Sequence, residues 1–263
     1  MKVVLFCGGL GMRLREFSDN IPKPLVNIGY RPIIWHLMKY YAHFGHRDFV
    51  LCLGYRGDAI KDYFLHYNEC LSNDFTLRNG GRDVELVNRD IEDWTIHFAD
   101  TGVQSNIGQR LYAVRKLVEH EEMFLANYSD GLSDLPLESY VEEFRRSNAV
   151  AAFVAVRPSL SMSDISFDAH GTVTGISYLN NSTVWVNGGF FVFRPEIYDY
   201  MKPGEELVEA PFQRLIDAGR LKAFRYEGFW SAIDTFKDKK NFDDMMLRGH
   251  TPWRVWDPAS NGA

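Results

Sequence analysis

Three runs of apolar residues fix what this chain can become. Val3–Cys7, the core of Asp48–Leu53, and Val150–Val156 are continuous rather than alternating. Strands that read this way are buried on both faces, as in a parallel sheet sandwiched by helices. Helical segments lie between them. Pro32 opens the first, where its missing N–H costs nothing, and Ile33, Ile34, Leu37, Met38 and Tyr41 recur at helical spacing up to Gly45. Asp58–His66, Asn106–Val118 and Leu135–Arg146 are further helices, and Trp94–Phe98 and Glu122–Asn127 further strands. The β-α-β-α alternation predicts an α/β fold, a mostly parallel Rossmann-like sheet flanked by helices. Val150–Val156 is expected at its centre.

Two segments break the rhythm. Residues 67–94 are a polar insertion, with a hairpin expected at Gly80-Gly81 and either a subunit-contact role or a plain surface course. Residues 160–193 carry short strands at Ile165–Phe167, Thr172–Tyr178 and Thr183–Phe193, separated by turns, and predict a small antiparallel lobe. Helices near Pro195–Tyr200 and Glu206–Ala218, a strand at Lys222–Tyr226 and a helix at Phe236–Leu247 follow. The expected organisation is one domain over residues 1–257 and a tail over 258–263.

The first strand runs into Gly8-Gly9-Leu10-Gly11, with Arg13 just beyond and Lys23 between Pro22 and Pro24. Glycines let a backbone approach a ligand closely, and free N–H groups with two spaced cations suit a polyphosphate. The prolines stiffen the backbone that carries the lysine. Leu14 stands where a dinucleotide fingerprint needs its third glycine, and no Lys-Ser/Thr pair follows a glycine as in a Walker loop. Asp130 follows a strand, and Asp234 lies in a polar turn before the last helix. Brought together, two such carboxylates can hold a divalent ion; taken singly, each can cap a turn or a helix. Asp134, before Leu135-Pro136, reads better as a turn residue.

A net charge of −6 argues against nucleic acid as the main partner. Three cysteines without metal or disulfide spacing predict a reducing, cytoplasmic setting. The apolar runs all fall short of the ~20 residues that cross a bilayer, so no membrane partner is expected. His36, His43 and His97 are isolated and expected to be structural or surface residues, and Trp94 and Trp185 to be packing residues.

The segment from Phe6 to His36 resembles the opening of the sugar-1-phosphate nucleotidylyltransferases, most closely the glucose-1-phosphate cytidylyltransferases. Leu53–Phe64, Ala99–Leu111, Asn127–Leu135, Val186–Phe193, Gly228–Asp238 and Thr251–Trp256 resemble blocks of that family in the same order. The resemblance implies transfer of CMP from CTP to a sugar 1-phosphate, giving a CDP-sugar and pyrophosphate. It implies Mg2+ held by Asp130 and Asp234, and a nucleotide lined by Gly8, Gly9, Leu10 and Gly11. It places Arg13 on the departing phosphates, Lys23 near the α-phosphate, Arg110 on the nucleotide, and Asn187 and Gly188 on the sugar. A homo-oligomer is expected with it.

The sequence also departs from the family. A Glu-Lys-Pro run usually precedes the Asn-Gly-Gly block, and its lysine grips the sugar phosphate. Here Ser177 to Ser182 contains no lysine. Arg157 is the first candidate to replace it; the alternatives are a different phosphorylated acceptor, a polyol among them, or a catalytically weak nucleotide-binding regulator. Ser129 stands where a glycine is frequent, and Ala210 where a glutamate is common before Pro211.

Overall fold

The structure is a computed structural model that describes residues 1–9, 21–158, 163–178 and 184–257. Its strands in chain order are β1 (Lys2–Phe6), β2 (Asn27–Ile28), β3 (Arg31–Pro32), β4 (Asp48–Leu53), β5 (Phe75–Arg78), β6 (Asp83–Leu86), β7 (Thr95–Asp100), β8 (Phe124–Tyr128) and β9 (Gly131–Ser133). β10 (Ala151–Val156), β11 (Ser163–Phe167), β12 (Val173–Tyr178), β13 (Val186–Asn187), β14 (Phe191–Phe193), β15 (Leu221–Tyr226) and β16 (Trp230–Ala232) complete the set. The helices are α1 (Ile33–His43), α2 (Gly57–Leu65), α3 (Ile107–Ala113), α4 (Arg115–Val118), α5 (Leu137–Arg145), α6 (Ala210–Asp217) and α7 (Phe236–Leu247).

The main sheet has eight strands. β7, β4, β1 and β8 lie side by side and parallel, β14 and β13 join antiparallel between β8 and β10, and β15 closes the far edge parallel to β10. The fold is therefore the expected α/β class, with one reversed strand line inside a parallel sheet. The apolar strands explain it: Val3 to Leu5, Phe124 to Ala126 and Phe191 to Phe193 are at most 1% exposed, so helices must cover both faces. α1 and α5 contribute Ile33, Leu37, Tyr140 and Phe144 to the core on one face. Leu111, Val118, Phe212 and Leu215 cover the other. Trp253 is completely buried against Phe229 and Phe242 and locks the C-terminal segment onto the α1 face.

Two expectations of position are corrected. β10 lies second from the edge, not at the centre, because only β15 follows it. Its apolar character comes from burial on both faces, which a sheet this well covered supplies near its edge too. The antiparallel stretch is divided. β11 and β12 form a separate hairpin, whereas β13 and β14 belong to the main sheet. β13 and β14 are themselves separated at Gly188 to Phe190, where Gly189 has φ +76° and Phe190 φ +49°. A Cβ on Gly189 would meet the Asn127 side-chain oxygen at 2.3 Å, so glycine is required there.

The insertion folds as expected around Gly80, with β5 and β6 paired across Asn79 to Gly81. A buried Arg31 pins it to α1. The guanidinium lies 4.1 Å from the Tyr67 ring and donates 2.7 Å to the Asn68 carbonyl. Among the described residues, no helix is long and apolar enough to cross a membrane.

Candidate active site

β8 ends at Tyr128, and the chain turns through Ser129 and Asp130 into β9. β9 pairs antiparallel with β16, Gly131 opposite Ala232, and the Ile233 N–H donates 2.9 Å to the Asp130 carbonyl. This two-strand ladder is what brings residues 130 and 234 to one place despite their separation in sequence. Asp234 is not the cap of α7: Thr235 is, in a capping box with Asp238. The Asp234 carboxylate is thus left for other work.

Lys23 supplies its partner. Residues Lys23–Leu25 form a 3-10 turn after Pro22, closed by Leu25 N–H to the Pro22 carbonyl at 2.8 Å. From it the Lys23 ammonium reaches Asp130 Oδ2 at 2.5 Å and Asp234 Oδ1 at 2.8 Å. Burial works against the ammonium's charge, but the two carboxylates more than offset it and hold the pKa above the ordinary lysine value. One cation bridging two carboxylates is the geometry of a shared cation-sized space. Both side chains stay partly open, Asp234 at 43% and Asp130 at 25%, which leaves room for ligands beside the carboxylates.

The glycine turn sits beside this cluster. Gly8 is buried and Gly9 exposed; Leu10, Gly11 and Arg13 lie outside the described residues. Arg110 is not poised across open space from Gly8. Its side chain is 2% exposed and donates to the carbonyls of Gly8 and Leu53 at 3.0 Å each and to Thr101 Oγ1 at 2.7 Å. The guanidinium therefore props the glycine turn from behind. A Cβ on Gly8 would come within 2.0 Å of it, so that glycine serves the arginine as well as any ligand. The sequence offered no sign of this, because the contact depends on α3 packing beneath the ends of β1 and β4.

The remaining predicted residues lie on the other side of Asp130. Asn187 accepts from the Gly189 N–H at 2.9 Å. Gly188 is held by the Trp230 indole, which donates 2.8 Å to its carbonyl. Arg157, just past β10, stacks 4.1 Å from the Trp185 ring. Trp185 is thus a cation platform rather than a core packing residue. Asp134 is a turn residue as expected, accepting from the Phe229 N–H at 2.8 Å. Ser129 donates 2.8 Å to the Phe6 carbonyl and ties β8 to β1, which a glycine there cannot do. His36 is structural: it is buried and bonded to the Ile28 carbonyl at 3.1 Å, and burial lowers its pKa to about 4.

The chain matches the nucleotidyl transferase family over residues 2–239. It belongs to that family. A probable glucose-1-phosphate cytidylyltransferase of Bacillus subtilis is 36% identical, covering 97% of this chain and all of the relative. The glucose-1-phosphate cytidylyltransferase of Salmonella typhi is 34% identical over 98% of this chain and its own full length. Among solved structures, HddC from Yersinia pseudotuberculosis superposes with a TM-score of 0.69 at 20% identity, over 93% of this chain and 99% of that one. A putative glucose-1-phosphate thymidylyltransferase from Bacillus anthracis gives 0.67 at 16%, over 93% and 94%. These two likenesses concern the fold. For a nucleotidyl transferase, the placement of Asp130 and Asp234 beyond the end of β8 agrees with the general position of ligands in parallel sheets.

Proposed function

We propose that this nucleotidyl transferase moves CMP from CTP to a sugar 1-phosphate of the glucose-1-phosphate kind, releasing pyrophosphate. The convergence of Lys23, Asp130 and Asp234 on one partly open point carries the reading. The choice of cytidine and of the acceptor draws on the likeness to the two cytidylyltransferases.

An oxygen of the acceptor phosphate attacks the α-phosphorus of CTP. The new P–O bond forms as the bond to the β-phosphate oxygen breaks, and the electron pair leaves with pyrophosphate. The acceptor is already an anion, so no general base is needed. The protein's share is positioning and charge. Lys23, on its proline-stiffened turn, is near enough to the carboxylates to follow a phosphate that enters beside them. Gly8 and Gly9 offer backbone N–H groups, with Arg110 holding the turn in shape. Arg13 belongs to the same reading, on the leaving phosphates. Asn187 and Gly188 face the sugar, and Arg157 its phosphate.

Mg2+ fits the carboxylate pair. Two carboxylates already bridged by one ammonium can share a small cation, and a magnesium site needs few protein ligands when waters and phosphates complete it. Bound between Asp130 and Asp234, the ion would neutralise charge on the reacting phosphates.

The test is pyrophosphate release across a matrix of CTP, UTP, dTTP, GTP and ATP against sugar and non-sugar phosphates, with and without Mg2+. Release that requires CTP, Mg2+ and a phosphorylated acceptor is expected. CTP binding with no release for any acceptor would make the chain a nucleotide-binding regulator instead.

A further inference from the structure

Trp230 ties together two segments that the site needs in fixed relation. It opens β16, where its backbone pairs with Ser133 of β9 while Ala232 pairs with Gly131. Beyond that strand the same segment runs directly into Asp234. The Trp230 side chain reaches away from the ladder. Its indole Nε1–H donates 2.8 Å to the carbonyl of Gly188, the neighbour of Asn187. One residue therefore joins the loop after β13 to the strand that delivers a carboxylate.

Two glycines make room for the ring. A Cβ on Gly188 would lie 3.1 Å from the indole nitrogen and 3.0 Å from a Val156 methyl, both tighter than ordinary contact. Gly188 is thus wedged between β10 and the indole. A Cβ on Gly131, the residue after Asp130, would lie 3.8 Å from the same nitrogen, an ordinary contact distance. The indole nitrogen is close both to the residue after Asp130 and to the residue after Asn187.

Both ends of this tie are anchored. At the start of β16, the Asp134 carboxylate accepts from the Phe229 N–H at 2.8 Å, and Ser133 Oγ donates 2.7 Å to the Phe229 carbonyl. On the loop, the Gly188 N–H donates 2.8 Å to the Val154 carbonyl, and the Phe190 N–H donates 2.9 Å to Asn127 Oδ1. A hydrogen bond between two held segments fixes their separation. Phosphoryl transfer is sensitive to that separation, because a displacement of about 1 Å between reacting groups can cost on the order of 100-fold in rate.

We propose that Trp230 is a positioning residue for the acceptor. Its indole N–H holds the Asn187–Gly189 loop at a set distance from the Asp130–Asp234 pair, and so places a phosphate monoester against the triphosphate. This rests on the transfer reading above. The bond acts on the loop and not on the carboxylates, so its loss falls on the acceptor and spares the nucleotide and the cation.

The experiment uses the full chain and glucose 1-phosphate as probe. Two variants remove the donor and keep an aromatic ring. One is Trp230→Phe; the other carries 3-benzothienylalanine at position 230, where sulfur replaces the indole N–H and the ring outline is kept. Calorimetry titrates glucose 1-phosphate into protein saturated with Mg2+ and a CTP analogue bearing a methylene between its α- and β-phosphorus, so that nothing turns over. Both variants are expected to bind glucose 1-phosphate about tenfold more weakly. Affinity for the CTP analogue, and for Mn2+ without nucleotide, should stay within about twofold. In turnover, kcat/KM for the acceptor should fall about tenfold or more while KM for CTP is unchanged. Unchanged glucose 1-phosphate affinity in the benzothienyl variant overturns the proposal. Equal losses for both ligands also overturn it, since Trp230 would then support the whole site. So does a wild type that does not bind glucose 1-phosphate. The two readings fail separately: absent pyrophosphate release refutes the transfer, while the binding titration decides the tryptophan.

Discussion

The two sides of the proposed site are built in opposite ways. The donor side gathers Lys23, Asp130 and Asp234 from three distant segments, and each is fixed by backbone pairing: a proline-framed turn, the end of β8, and the β9–β16 ladder. Its charges are matched, one ammonium between two carboxylates. The acceptor side lies across β13, β10 and β15, with two arginines on one indole and an alanine between strands. Its charges are two guanidiniums, of Arg157 and Arg225, against the Trp185 ring. A matched, rigid site suits a ligand that arrives with its own cation, as a magnesium–triphosphate does. A cationic one suits a bare anion. The difference predicts that substitutions on the two sides will separate in kinetics: donor changes should appear in kcat, acceptor changes in the acceptor's KM.

The largest effect is expected from Asp130→Asn. Losing one of two carboxylates around the reacting phosphates should lower kcat by on the order of 10³-fold, with KM for the acceptor nearly unchanged. Thermal unfolding checks that the fold survives; it should, since Asp130 holds β16 through its backbone carbonyl. A variant with full turnover would break the donor assignment.

Arg110→Ala should come next and should sharpen the contrast. It leaves the Gly8 and Leu53 carbonyls without their charged donor, at a cost of roughly 2–4 kcal/mol by denaturant unfolding. The glycine turn loosens with it, so KM for CTP should rise while the acceptor's KM does not. Equal rises for both substrates would mean that Arg110 supports the whole sheet and not the donor turn.

The smallest effect is one of pH, and it should fall on both sides alike. His36 is neutral in the fold, its pKa lowered to about 4 by burial, against about 6.5 in the unfolded chain. The unfolded state therefore binds more protons between those values, and stability falls as pH drops. The contribution is fully present above about pH 6.5, is reduced by about 2 kcal/mol at pH 5, and is lost progressively toward pH 4. Urea unfolding at pH 7.5 and 5 checks this, and His36→Gln should flatten the dependence. His46, lowered to about 4 by burial, acts in the same direction.

Much of this was legible in the chain. The continuous apolar runs announced buried parallel strands, and the Pro22-Lys23-Pro24 and Asp130 signals announced charges held on stiff local frames. What stayed hidden depends on register. β16 is only three residues long and has no periodicity of its own, so the ladder that delivers Asp234 could not be seen. The resemblance put Arg110 on the nucleotide, and only packing shows that it also lies under Gly8. Arg225 sits in an alternating edge strand, where an exposed arginine is unremarkable until Trp185 is found two strands away. The reversed line of β13 and β14 was obscured because Gly188 and Gly189 interrupt what reads as one strand.

That Asp130, Asp234 and Lys23 enclose a single cation space is tested most directly by titrating Mn2+ into the nucleotide-free protein, followed by electron paramagnetic resonance. In wild type the Lys23 ammonium stands between the carboxylates, so Mn2+ alone should bind weakly. Lys23→Met removes that competitor and should tighten Mn2+ binding by about tenfold or more, and Asp130→Asn in the same background should abolish the gain. Unchanged or weaker Mn2+ binding in Lys23→Met would contradict the shared space.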